Sequence, residues 1–308
     1  LVKGAHYMNT ILFKEAHENF GGFNKTIYLT PELKSATDKV GPLRFQAPTL
    51  FNEPNPEAGD VARVYMIDNS EEFGIDPNAE VAAVSQLDDE NSKMIADAYE
   101  AIVDNPKDPE VKEAYEALAD ETLRQYESIL DRGYEVEIWR GEGEPYANST
   151  EMIQDARDNK HMYIFGTEAG FGEGSITLEQ REDNAMLAET QYADLNGEPL
   201  LVNDVFRFVH DFFGHTELGN GFGPVGEENA WLSHSRMYSP TARKAMTTET
   251  RGQNSWMNYG PHGDVNRTAS LEDSTFAQQK AGIMSNLATY GRTPLSEQRA
   301  ARSDDPGR

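Results

Sequence analysis

The chain has 308 residues, enough for one large domain or two small ones. It carries 53 carboxylates against 27 lysines and arginines, a formal net charge of −26, so its field repels phosphate and argues against nucleic-acid or anionic-membrane partners. The absence of cysteine removes disulfides, thiolate catalysis, cysteine–zinc sites and iron–sulfur clusters together, and no apolar run approaches a membrane span.

The first 60 residues are punctuated by Gly21-Gly22, Pro31, Gly41-Pro42 and Asn52 to Pro56, which suits loops with a few short strands. Val61 to Ile67 alternates loosely and reads as a strand. An amphipathic helix is predicted from Asp89 to Val103. A second is capped by Asp108, with Pro109 at its first position and Gly133 at its end. Its buried face is Val111, Tyr115, Leu118, Thr122, Tyr126 and Ile129. Tyr134, Val136 and Ile138 then alternate as in a half-buried strand, and Met162 to Phe165 is another strand candidate. Trp139 to Glu144 reads as a turn, since it lacks the lysine of a phosphate loop.

From Gly172 onward the pattern is mostly helical. Asn203 or Asp204 caps a helix holding Val205, Phe206, Val209, Phe212 and Phe213, and Gly214 is its natural breaker. Gly219 to Pro224 reads as a helix–helix connection, with a lid over a site as the alternative. Another helix opens near Gly226. Ser239-Pro240 caps a further one that Gly252 terminates. Trp231 and Trp256 are expected in the core. The expectation is a mainly α chain, α+β with a small strand component. It comprises an N-terminal α+β region at 1–150, a metal-site domain at 151–291 and a polar tail at 292–308. The chain starts at Leu1 without a signal-peptide pattern, which reads as a processed or trimmed product. Solubility accounts for the acidity, in the cytoplasm or in a virion.

Three of the seven histidines fall between positions 210 and 234, and two of them lie five apart in Val209-His210-Asp211-Phe212-Phe213-Gly214-His215. Neutral imidazole is a common ligand for zinc and iron. On an ideal α-helix residues five apart are separated by about 140°, so the pair converges only if Gly214 breaks the helix or a π-bulge realigns it. The zinc-protease pattern, with a spacing of four and a glutamate after the first histidine, is absent. Glu227, Glu228, His234 and Glu249 are the candidates for a third ligand. Glu249, read as lying in the last turn before Gly252, faces the negative end of a helix dipole, a placement that a bound cation rewards.

Read outward, these residues resemble the catalytic core of the pterin-dependent aromatic amino acid hydroxylases, over about residues 168–290. That family carries Thr-Gln-Tyr, then His-Glu-x-x-Gly-His, then a distant glutamate. Here Thr190-Gln191-Tyr192 precedes His210 to His215, and Glu249 follows 34 residues beyond His215. Ala281-Gly282-Ile283-Met284-Ser285-Asn286 is similar to a later family segment. The resemblance implies a hydroxylase-like helical domain holding Fe(II) on His210, His215 and Glu249, with Asp211 and Tyr192 nearby. Ser285 would orient one iron-binding histidine. A reduced pterin is implied by the resemblance only.

The departures limit this. The family's substrate-clamping arginine is replaced by Asp194, which repels an amino acid carboxylate. The glutamate after the first histidine is Asp211. The stretch from Glu249 to Ala281 is about twice the family's length. The leading expectation is a mononuclear non-heme iron oxygenase hydroxylating a small aromatic or cyclic molecule. One alternative is a zinc-dependent hydrolase using Glu227 or Glu228. The other is a structural or interaction protein with a degenerate hydroxylase-like fold, either a homo-oligomer or part of a virion. Gly143 to Tyr146 and Phe165 to Glu168 resemble segments of marine bacterial virus proteins.

Overall fold

The computed structural model describes residues 52–79, 83–141, 143–167, 176–269 and 273–284. The stretch before residue 52, Ser285 and the polar tail lie outside these residues, so the expectations placed on them are not addressed.

The first element is a helix, α1 (Pro56–Phe73), and it replaces the strand expected at Val61 to Ile67. Asn55 accepts from the Glu57 amide and Pro56 presets the first turn. Ala58, Val61, Ala62, Tyr65 and Met66 recur at helical spacing and are buried, whereas Val64 and Ile67 are exposed. The short apolar run was ambiguous between the two periods, and its cap decides it.

Helices α2 (Asp89–Glu100) and α3 (Pro109–Leu130) form as expected, each capped by the side chain of the preceding aspartate. Strands β1 (Glu135–Ile138) and β2 (His161–Ile164) pair in parallel, Val136 against Met162, joined through α4 (Ser149–Asn159). After a short helix α5 (Leu178–Asp183), strands β3 (Glu189–Ala193) and β4 (Pro199–Leu201) make an antiparallel hairpin inside the region expected to be mostly helical. Asp194 builds its turn. One carboxylate oxygen accepts from the Asn196 and Glu198 amides, both at 2.9 Å, and the other from the Ile138 amide and Arg140.

The site helices follow. Helix α6 (Val202–His210) begins after Leu201, whose amide donates to Asp204 at 2.8 Å. It runs without a break into a π-helical segment, π1 (Asp211–Thr216). Gly214 therefore does not end the helix; it lies inside π1, the second of the two routes by which the histidines could meet. The Thr216 hydroxyl donates to the Phe212 carbonyl at 2.6 Å, and the Glu217 amide reaches the same carbonyl from five residues on. A hydroxyl competing for a backbone acceptor is one way to widen a helix. Helix α7 (Pro224–Ser235) then packs against π1. Helix α8 (Pro240–Thr247), capped by Ser239, continues through a second π segment, π2 (Thr248–Gly252), into α9 (Gln253–Tyr259). Gly252 is thus internal. Thr247 and Thr250 bond carbonyls four residues back, as Thr216 does. A four-residue helix α10 (Gly263–Asn266) ends the helical part.

The architecture is mainly helical with two small two-stranded sheets. One buried cluster joins Ala58, Tyr65, Tyr126, Ile153, Met162, Val209 and Phe212, so residues on both sides of position 150 share a core. Trp231 and Trp256 are buried as expected. Among the described residues no helix is long and apolar enough to cross a membrane.

Candidate metal centre

The π segment solves the spacing problem. With the backbone hydrogen-bonded five residues apart, His215 comes back over His210. The two rings lie 5.4 Å apart, edge to face. Helix α7 brings a carboxylate to both. Glu227 Oε1 is 3.5 Å from His215 Nε2, and Oε2 is 3.9 Å from His210 Nε2. One ligand atom from each of His210, His215 and Glu227 lies within 4.8 Å of the others. Among the described residues this is the group that could hold an ion. Glu227 sits in the first turn of α7, at the positive end of its dipole.

The far nitrogens of both imidazoles are engaged elsewhere. His215 Nδ1 meets the Asn220 carbonyl at 3.2 Å. Asn220 also donates its side-chain amide to the Gly214 carbonyl at 2.7 Å and its backbone amide to the His215 carbonyl at 2.9 Å, clasping the end of π1. His210 Nδ1 meets His234 Nδ1 at 3.1 Å, and His234 Nε2 meets Gln125 Oε1 at 2.8 Å.

The electrostatics follow from burial and pairing. Burial pulls the His215 imidazolium down, but Glu227 outweighs it and raises the group to about 9. Burial pushes Glu227 up, and the two histidines more than reverse this, bringing it to about 2. Burial, with His210 beside it, holds His234 well below the usual imidazole range. Asp211 is raised by burial, partly offset by His215 and His210.

The remaining expected site residues fall differently. Glu249 is not among the clustered three. Its oxygens accept from Tyr115 at 2.5 Å and Gln253 at 2.9 Å, and burial raises its carboxyl to about 7. Because α8 continues through π2 into α9, Glu249 does not face a helix C-terminus, and the dipole argument for it lapses. Glu228 pairs with Arg251 at 2.5 Å, and Arg251 lies over the Trp231 ring. His234 stands behind His210. Tyr192 is on β3, its hydroxyl donating to Glu127 at 2.5 Å and its ring edge-on to Tyr126. Asp194, expected where a substrate clamp would sit, has a fully buried side chain committed to the hairpin turn.

Sequence spacing does not single out Gln125 and Asn220. Gln125 interrupts the apolar stripe of α3 seven residues after Leu118, and a fully buried polar side chain there needs a partner. Asn220 lies in the glycine-rich loop from Gly219 to Pro224, whose sequence suits a connection or a lid and carries no signal for a clasp on π1. Glu227 and His234 are seven apart on one helix and share a face, a signal that could have favoured Glu227.

No family model, curated protein or solved structure matches the chain.

Proposed function

We propose that the protein is a mononuclear non-heme iron enzyme in which His210, His215 and Glu227 hold Fe(II), and that it hydroxylates a small aromatic or cyclic substrate. The observation that carries this is the convergence of the three ligand atoms within 4.8 Å. The donor set fits: two imidazole nitrogens face one carboxylate, and each ring's other nitrogen is occupied. Iron held by two histidines and one carboxylate keeps open positions and supplies O₂ activation when bound.

This chain's residues orient the donors and shape the approach. Asn220 fixes the His215 ring. Phe222 lies edge-on to His215 at 5.1 Å and is 45% exposed, which offers a flat apolar contact beside the ligand. A hydroxylase-like fold and a pterin cosubstrate enter only through the sequence resemblance. The same donors suit zinc, and Glu227 is a ligand that the hydrolase reading names, so metal identity separates the two.

The test is elemental analysis of protein purified without chelator or metal-affinity tag. About one iron per chain is expected, lost in His210→Ala, His215→Ala and Glu227→Ala and kept in Glu249→Ala. Zinc with the same pattern moves the reading to hydrolysis. No metal after anaerobic Fe(II) loading overturns it and leaves an assembly role. Loss in Glu249→Ala with retention in Glu227→Ala moves the carboxylate ligand to Glu249.

A further inference from the structure

We propose that Gln125, on a helix that supplies no ligand, sets the metal affinity of the centre by dictating, through His234, which nitrogen of His210 carries the proton. This rests on the metal reading above. Gln125, His234 and His210 form a chain of side chains whose contacts are 2.8 and 3.1 Å long.

It starts at the amide. Gln125 is fully buried, and its Nε2 lies 3.5 Å from the Met237 carbonyl. Turning the amide over would set its oxygen against the Met237 carbonyl, two acceptors with no proton between them. The Oε1 atom therefore faces His234, and an amide oxygen can only accept. His234 must donate from Nε2.

The His234 ring is fully buried among Phe206, Phe213 and Tyr238. A charge in such surroundings is costly, so the ring is neutral and carries one proton. With that proton on Nε2, its Nδ1 is a lone pair. His210 must then donate from Nδ1, which leaves Nε2, the atom 3.9 Å from Glu227, as the free lone pair a metal needs. A histidine that donated from Nε2 would present a proton to the ion instead.

The relay also spans three packed elements. Gln125 is on α3, His234 and Glu227 share α7, and His210 ends α6. The proton position is thereby fixed by the core and not by solvent.

The test has two arms. Long-range proton–nitrogen NMR on metal-free, histidine-labelled wild type reads the tautomers directly. The proton is expected on Nδ1 of His210 and on Nε2 of His234, whether or not Glu227 holds a second proton at His210 Nε2; a proton on Nδ1 of His234, or none on Nδ1 of His210, overturns the proposal without any variant. The second arm measures Co(II) affinity. Gln125→Met, close in shape but without the acceptor, is expected to bind about 10–100-fold more weakly. A folded Gln125→Met that binds as wild type does overturns this proposal alone. Wild type that takes up no Co(II) overturns the metal reading and this proposal with it.

Discussion

Replacing Gly214 by alanine tests whether the π segment holds the histidine pair as tightly as its geometry implies. In an ordinary helix interior the change stabilises, because glycine is worse than alanine by about 0.5–1 kcal/mol. Here a β-carbon would lie 3.1 Å from Ala230 Cβ and 3.1 and 3.2 Å from two atoms of the His210 ring. Carbon pairs prefer about 3.5–4.0 Å. Ala230 is fixed on α7 and has no rotamer to change, and the His210 ring is held from behind by His234. Either α7 retreats, carrying Glu227 with it, or the ligand ring turns. Overpacking of this kind costs about 1–3 kcal/mol. Set against the propensity gain, a net loss on the order of 1 kcal/mol is expected, lowering the melting temperature by about 2–4 °C. Co(II) affinity should fall as well, since both routes of relief displace a ligand. Thermal melting and Co(II) titration on one preparation read both effects. A Gly214→Ala protein that melts at or above wild type with undiminished affinity would refute the close packing of π1 on α7.

Two further outcomes are expected. Glu121 is almost fully buried and accepts from the Ser239 amide at 2.7 Å and the Ser239 hydroxyl at 2.5 Å; burial raises its carboxyl to about 7 despite those donors. A carboxyl raised above its unfolded value stabilises the fold fully below that value and loses the contribution as pH climbs to the folded one. Urea unfolding should therefore lose on the order of 3 kcal/mol from this group as pH climbs from 4.5 to about 7, with Glu249 adding a loss of the same sign over the same range. Glu121→Gln should flatten that slope, and an unchanged slope would assign it to other groups. Separately, Asp194→Arg installs the residue that the hydroxylases use as a clamp. It places a charge where the Asn196, Glu198 and Ile138 amides and Arg140 converge. A loss of more than about 3 kcal/mol is expected, read by denaturant unfolding, and a stable variant would show that the hairpin turn tolerates an unpaired charge.

The parts of this fold that were legible are those whose signal is local. Asp108, Pro109 and the spacing from Val111 to Ile129 define α3, and alternation defines β1. Where two local signals compete, the periodicity alone does not decide between them. The run from Val61 to Ile67 suits either period, and only Asn55 and Pro56 upstream make it a helix. Glycine is an equally ambiguous signal. Gly214 and Gly252 look like terminators, yet both lie inside π segments, next to threonines that donate to carbonyls four residues back. Each of those helices continues because its far side is packed, and sequence spacing does not report that.

The carboxylate of the site shows the same divide between local and long-range information. In sequence, two features favour Glu249: its distance from His215, similar to that in a known family, and a helix end near Gly252 that would reward a cation. Both arguments are one-dimensional. The helix end does not exist, and Tyr115 and Gln253 from two different helices take the Glu249 oxygens. Glu227 reaches the histidines because Pro224 starts α7 just beyond the clasp that Asn220 makes on π1, which aims the first turn of α7 at the pair. Its partner in that reading is visible in the sequence. His234 lies two helical turns further along the same face, already engaged with His210 from behind. A face of α7 that meets His210 twice, once in front through Glu227 and once behind through His234, supports Glu227 as the proposed ligand better than a spacing borrowed from elsewhere does.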